Sequence, residues 1–190
     1  MLQHYSLALL PCHHSLAEFC TGFAQENFSK LNDGYILGPQ ALPHITLCRF
    51  MAEPSQLDVL WQETANRCGG DKLTLGLSQI YFGKGKAEHQ GYIWAGFAVT
   101  RDAKLSMLQA SIYALLRLQG LTPLILTGDA YLPHMTLARL RGANLLPSIS
   151  WPEPSFWNQP YDFMLSLGQS DALGIYQSRL YPEAHDKAAM

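Results

Sequence analysis

Two short segments of this chain are nearly the same, and each carries a histidine followed two positions later by a threonine. The first reads LPHITLCRF at 42–50 and the second reads LPHMTLARL at 132–140. For this composition roughly 0.04 chance matches to the core pattern His-x-Thr-Leu are expected, so the two copies form an internal repeat. A repeat of this kind indicates that one local structure is used twice.

The repeated residues suit phosphoryl transfer. Side chains alternate between the two faces of a strand, so His44 and Thr46 share one face of the first copy. His134 and Thr136 share the corresponding face of the second. If these faces meet across a cleft, one imidazole can be the base for the attacking oxygen and the other the acid for the leaving oxygen. The hydroxyls can donate to the non-bridging phosphate oxygens, and no metal is required.

Other interpretations of the same residues are weaker. A single strand histidine is more often a hydrogen-bonded structural residue, and it is the duplication that favours catalysis. Cys48 falls on the His44 face of a regular strand, but its counterpart is Ala138, so small-residue packing is favoured over a Cys–His nucleophile. Zinc ligation would need further ligands, and the sequence has no H-E-x-x-H and no clustered Cys and His. We therefore expect no metal and no cofactor.

The elements that must position these residues follow a repeated order of strand, helix and motif strand. Capping residues and glycine stops mark the helices, among them a capping box at Ser15–Glu18 and an N-cap at Asp102. The predicted strands are 4–11, 42–50, 72–82, 91–99, 132–140, 161–169 and 173–182, the predicted helices are 15–31, 53–70 and 103–120, and the Pro-rich segment 144–160 is expected to be a packed loop.

No linker of domain-boundary quality separates the two halves, so we predict one domain spanning 1–190. Its fold class is α+β, a bilobal domain of two pseudo-symmetric strand–helix–strand lobes with antiparallel sheets flanking a central cleft. The repeat halves cover about 1–88 and 89–182, and 183–190 is expected to be a mobile tail.

Composition limits the range of functions. The chain has 190 residues, 48% of them apolar and 15% charged, with a net charge of −2, so it lacks the basic field of proteins that hold long nucleic acids. Its four cysteines form no C-x-x-C pair, and the apolar N-terminal run is too short for a membrane span. We expect a soluble, cytoplasmic monomer with no membrane contact and no obligate protein partner.

The paired H-x-T-L motifs in two similar units resemble the two-histidine (2H) phosphoesterase superfamily, which includes 2′-5′ RNA ligase-like proteins and cyclic nucleotide phosphodiesterases. The resemblance covers most of the chain, including the strand–glycine loop–strand passage at 77–99 and the closing LGQSDALGIYQSRLYP at 167–182. The chain departs from the superfamily's usual pattern in two places. After the first motif, where Phe-Leu-Gly is frequent, it has Arg49 and Phe50, and after the second motif a Pro-rich loop replaces the helix.

The resemblance implies His44 and His134 as the acid/base pair and Thr46 and Thr136 as phosphate ligands. It implies a metal-independent phosphodiesterase, with a role in RNA processing, acting on 2′,3′-cyclic phosphates or 2′-5′ phosphodiesters. The partner is then a nucleotide cyclic phosphate or an RNA terminus. Ligation by the reverse reaction, and a weakly active module that binds nucleotides or RNA ends, remain alternatives.

Four cations are possible substrate contacts: Arg139, Arg49, Lys84 and Lys86. On regular strands both arginines would point away from the pocket, although the resemblance favours Arg139 over Arg49 as a contact. The lysines lie in a glycine loop, where a solvated turn is the favoured interpretation. Tyr81, Phe82 or Trp94 could lie under a base.

Overall fold

A computed structural model describes residues 1–69, 72–85, 90–141 and 149–182. Within these ranges the chain is mixed α+β, as predicted. The strands are β1 (Gln3–Pro11), β2 (Asn32–Ile36), β3 (Ile45–Ala52), β4 (Leu73–Lys84), β5 (Tyr92–Val99), β6 (His134–Arg141), β7 (Pro160–Ser170) and β8 (Tyr176–Tyr181). The helices are α1 (His14–Phe28), α2 (Leu57–Cys68), α3 (Ala103–Leu118) and α4 (Pro154–Trp157).

The helix signals of the sequence were partly correct. The Asp102 side chain caps α3 by accepting from the Leu105 amide at 2.7 Å. The capping box predicted at Ser15–Glu18 is wrong, because α1 begins at His14 and Ser15 therefore lies inside the first turn rather than before it. Strand β2 was not predicted, and the segment expected to be a loop contains the short helix α4. The expected tail at 183–190 lies outside the described residues.

The strands pair antiparallel in one hydrogen-bonded sheet, in the order β1-β3-β6-β5-β4-β7-β8, with β2 against β6 and a further pairing of β1 with β7. The motif strands β3 and β6 are neighbours joined through a single residue pair, Ile45 opposite Met135. Strand β4 pairs with β5, and β7 pairs with β1, so strands from both sequence halves interlock.

Each motif strand is covered by a helix from the other half of the sequence. Helix α1 packs against β6 and α3 packs against β3. The apolar residues of the motifs, Ile45, Leu47, Met135 and Leu137, are fully buried under these helices. Burial of a side chain of this size stabilises the fold by roughly 1.5–3 kcal/mol, so the motif strands are fixed from their apolar side. No helix in the described residues is long and apolar enough to cross a membrane.

Candidate active site

The four residues singled out by the repeat line one cleft. His44, Thr46, His134 and Thr136 all contribute to a cavity of about 380 Å³ at the junction of β3 and β6. A larger cavity of about 700 Å³ lies beside the end of α2, the first half of α3 and the start of β4, and none of the described site residues lines it. We identify the smaller cleft as the candidate site because it holds the paired imidazoles.

A β-bulge occurs at the same place in both motifs. In the pairing of β1 with β3, Leu7 lies opposite Cys48 and Ala8 lies opposite Thr46. Leu47 is therefore an extra residue with no counterpart in β1. Strand β6 repeats this arrangement against β5, where the extra residue is Leu137. A bulge inserts one residue and reverses the alternation of side chains beyond it. The faces expected from a regular strand are therefore correct for Leu47 and Leu137 and wrong from Cys48 and Ala138 onward.

The bulge corrects the predicted face of Cys48. Its side chain is fully buried on the face away from the cleft, as is Ala138 in the second copy. Burial also raises the pKa of the Cys48 thiol to about 12, so the thiol stays protonated near neutral pH. Cys48 is a packing residue and not a nucleophile for this cleft.

The same bulges place Arg49 and Arg139 on the polar face, but only Arg49 lines the cleft. The guanidinium of Arg139 instead donates twice to the Asp33 carbonyl, from Nε at 3.0 Å and from Nη2 at 2.5 Å. Its Cζ also lies 4.6 Å from the centre of the Tyr92 ring. The preference for Arg139 over Arg49 as a cleft residue was therefore wrong. The hydrogen bonds to Asp33 in β2 hold the Arg139 guanidinium outside the cleft.

Both histidines are held by the backbone in the same way. Nδ1 of His44 donates to the carbonyl of Leu42 at 2.7 Å, and Nδ1 of His134 donates to the carbonyl of Leu132 at 2.7 Å. Since a carbonyl can only accept, each neutral ring carries its proton on Nδ1 and keeps the lone pair on Nε2. The proline before each histidine favours an extended backbone at the residue whose carbonyl is used. The Leu-Pro part of the motif therefore orients the imidazole.

A tyrosine packs against each imidazole. The Tyr176 ring lies 5.1 Å from that of His44, and the Tyr81 ring lies 5.1 Å from that of His134, as measured between ring centroids. Tyr81 fits across β5 because Gly96 has no side chain: a Cβ there would lie 3.1 Å from the ring. The sequence drew attention to Tyr81 only as a base contact, and Tyr176 was missed because nothing local marks it.

Burial lowers the pKa of both imidazoles. Desolvation lowers the pKa of His44 to about 4, opposed by the bond to Leu42 and assisted by the charge of His134. Desolvation also lowers the pKa of His134, opposed by its bond to Leu132. His44 is only 4% exposed, whereas His134 is half-buried. Near neutral pH both rings are therefore neutral, with Nε2 able to accept a proton.

The rest of the cleft wall is mainly apolar and aromatic. Tyr35 and Trp94 meet edge to face with ring centroids 5.5 Å apart. The Tyr35 hydroxyl is buried and has no hydrogen-bond partner in the part of the chain that the structure describes. The remaining lining residues are Arg49, Tyr81, Leu124, Ile125, Leu126, Leu173 and Gly174. One guanidinium among apolar side chains suits a ligand with a single phosphate and a planar or apolar group.

The predicted lysines do not contribute to this wall as far as it is described. Lys84 is exposed at the end of β4 and does not line the cleft, and Lys86 lies outside the described residues. Phe82 packs edge to face on Phe28, also away from the cleft. Among residues 1–69, 72–85, 90–141 and 149–182, no group of three or more His, Cys, Asp or Glu side chains is placed to hold a metal ion.

Solved structures with the same fold are known. The crystal structure of E. coli LigT complexed with 3′-AMP matches with a TM-score of 0.62 at 19% identity, covering 95% of this chain and 96% of that one. E. coli LigT complexed with NADP+ gives a TM-score of 0.57 at 20% identity, with 94% of each chain covered. A crystal structure of a phosphoesterase gives 0.52 at 19% identity, with 89% of each covered.

These likenesses define the class of fold. No family model matches the chain, and no curated protein is a significant match in sequence. The resemblance predicted from the motifs is confirmed in the fold, because the chain has the fold of E. coli LigT along nearly its whole length. The chemistry of the cleft must be argued from its own residues.

Proposed function

We propose that the chain is a two-histidine phosphoesterase that hydrolyses 2′,3′-cyclic phosphates of nucleotides or RNA ends, or 2′-5′ phosphodiesters, without a metal ion. The matched pair of imidazoles carries this proposal: each is held through Nδ1, and each lines one cleft with the threonine of its own motif. LigT lends support, since it has been crystallised with 3′-AMP, a monophosphate of the kind that opening a 2′,3′-cyclic phosphate yields.

Burial supports His44 as the base and His134 as the acid. His44 is the more buried of the two residues, and the charge on His134 further lowers the pKa of His44. His134 therefore takes up a proton before His44 does. An anionic phosphate entering the cleft raises the pKa of nearby imidazoles, because an opposite charge favours the protonated form. The bound state then has one neutral and one protonated imidazole, as acid/base catalysis requires.

The proposed reaction balances without any further group. Nε2 of His44 takes a proton from water while the water oxygen attacks phosphorus. The bond from phosphorus to one ribose oxygen breaks, its electron pair stays on that oxygen, and His134 supplies the proton. Thr46 and Thr136 donate to the non-bridging oxygens as their charge grows, each such donor being worth roughly 10²–10³-fold in rate. The product is a nucleoside or oligonucleotide phosphomonoester.

Turnover of 2′,3′-cyclic AMP by the purified chain tests the proposal, with 2′-AMP and 3′-AMP separated by chromatography. We expect a single monophosphate isomer, because a fixed acid protonates only one of the two ribose oxygens. Binding of the cyclic nucleotide without turnover would favour a binding module instead. Joining of a cyclic-phosphate end to an added 5′-hydroxyl oligonucleotide, without hydrolysis, would favour a ligase.

A further inference from the structure

The turn between β7 and β8 packs directly against the guanidinium of Arg49. Gly174, in this turn, has a φ of +87°, a left-handed conformation that disfavours other residues. A Cβ at position 174 would collide with Nη1 of Arg49 and would lie 3.1 Å from its Cδ and 3.2 Å from its Cζ. Both the backbone conformation and the Arg49 side chain therefore disfavour any residue other than glycine at position 174.

Hydrogen bonds fix the conformation of the turn that carries Gly174. Oδ1 of Asp171 accepts from the amides of Leu173 at 2.9 Å and Ile175 at 2.8 Å, and the Gly174 amide donates to the Asp171 carbonyl at 3.1 Å. These bonds close the turn on itself, so Gly174 cannot retreat without breaking several of them.

Arg49 is held from its backbone side as well. The bulge at Leu47 turns its side chain to the cleft, and its carbonyl accepts from the Leu124 amide at 2.7 Å. Arg49 is the only Arg or Lys lining the cleft within the part of the chain that the structure describes. Backbone and side-chain contacts together direct one guanidinium toward the space between the two motifs.

We infer that Arg49 is the anion-binding residue of this cleft and that Gly174 is a positioning residue, whose missing side chain leaves the space the guanidinium occupies. The ligand class is a single phosphate group, a monoester or a cyclic diester. The inference rests on the proposed function in taking this phosphate to be the reacting one. A methyl group at position 174 would displace the end of Arg49 and leave the two imidazoles unchanged.

Binding of 3′-AMP, measured by isothermal titration calorimetry, tests the inference without requiring turnover. Arg49→Ala should weaken binding by about 10- to 100-fold, as expected for loss of a charge-assisted phosphate contact. Gly174→Ala should weaken it by about tenfold. The double variant should bind no more than about twofold worse than Arg49→Ala, because both changes remove one interaction.

Gly120→Ala is the matched control. Gly120 also has a left-handed φ, +72°, but a Cβ there would meet nothing within 4 Å. Gly120→Ala should show the stability cost of the left-handed backbone alone and leave 3′-AMP affinity unchanged. Gly174→Ala with parental affinity would overturn the inference. So would a further loss from Gly174→Ala in the Arg49→Ala background, or a parent chain that does not bind 3′-AMP.

Turnover separates this inference from the proposed function. For 2′,3′-cyclic AMP, Gly174→Ala should raise KM more than it lowers kcat, and the pH profile of kcat should keep its midpoints, because the histidines are untouched. A parent that binds 3′-AMP through Arg49 and Gly174 but turns over no cyclic phosphate would refute the proposed function alone. Active enzyme with an unchanged KM in Gly174→Ala would refute the inference alone.

Discussion

The burial of His44 predicts that the protein loses stability steadily as the pH falls from about 6.5 to about 4. The folded-state pKa is lowered from 6.5 to about 4, so across this range the unfolded chain binds a proton that the folded chain does not. Stability therefore rises with pH through this window, is complete above the unfolded pKa, and is lost as the pH falls toward the folded pKa.

The size of the effect follows from the pKa shift. Each pKa unit corresponds to about 1.4 kcal/mol, so a shift from 6.5 to about 4 corresponds to roughly 3 kcal/mol. His44 is only 4% exposed, so solvent screening takes away little of this value. A loss of about 3 kcal/mol is a large part of the 5–15 kcal/mol by which domains are usually stable.

Urea unfolding at a series of pH values measures this loss, with His44→Asn as the test variant. Asparagine cannot titrate, and its amide can still donate toward the Leu42 carbonyl that now accepts from Nδ1. The free energy of unfolding of His44→Asn should fall by about 3 kcal/mol less than that of the parent between pH 7 and pH 4. His14→Asn, at an exposed histidine of α1, is the control and should follow the parent. Equal slopes for His44→Asn and the parent would refute the assigned burial of a neutral imidazole.

The remaining predictions concern the ligand and the cleft wall. Activity on 2′,3′-cyclic AMP should survive exhaustive chelation, and a loss that zinc or magnesium restores would show a metal site. A ligand held through one phosphate and its neighbour should lose affinity with salt at a slope of about −1 to −2, so kcat/KM for a cyclic mononucleotide and for a cyclic-phosphate-ended 20-mer should be similar at every salt concentration. A large, salt-sensitive preference for the 20-mer would contradict this. Trp94, which lines the cleft, should support the base, so Trp94→Leu should raise KM about 5- to 150-fold, a stacking loss of roughly 1–3 kcal/mol. An unchanged KM would place the base elsewhere.

The sequence predicted the placement of the four motif side chains because a repeat and strand alternation are both local signals. His44, Thr46, His134 and Thr136 line one cleft, and the α+β class followed from the order of the elements. The same alternation failed two residues after each threonine, from Cys48 and Ala138 onward. A bulge depends on how the partner strand pairs, so Leu47 cannot be recognised as an extra residue before β1 is known to lie opposite β3.

The supporting contacts of the site come from distant parts of the chain, and for that reason they were missed. Tyr176 packs on His44 from β8, and Gly174 underlies Arg49 from the turn before it. The Asp33 carbonyl, which binds Arg139, belongs to β2, a strand that the sequence did not predict. One signal was present but not used: the Leu-Pro pair before each histidine was repeated together with it, which indicates that the preceding carbonyl has a common role.

The most direct test of the two-histidine account is the turnover of 2′,3′-cyclic AMP by His44→Ala, His134→Ala and the double variant. Because an acid and a base that act in one step form a single unit, each single variant should lose about 10²–10⁴-fold or more in kcat. The double variant should then be little worse than either single one. Near-parental kcat in either single variant would contradict the account, and so would losses that multiply in the double variant.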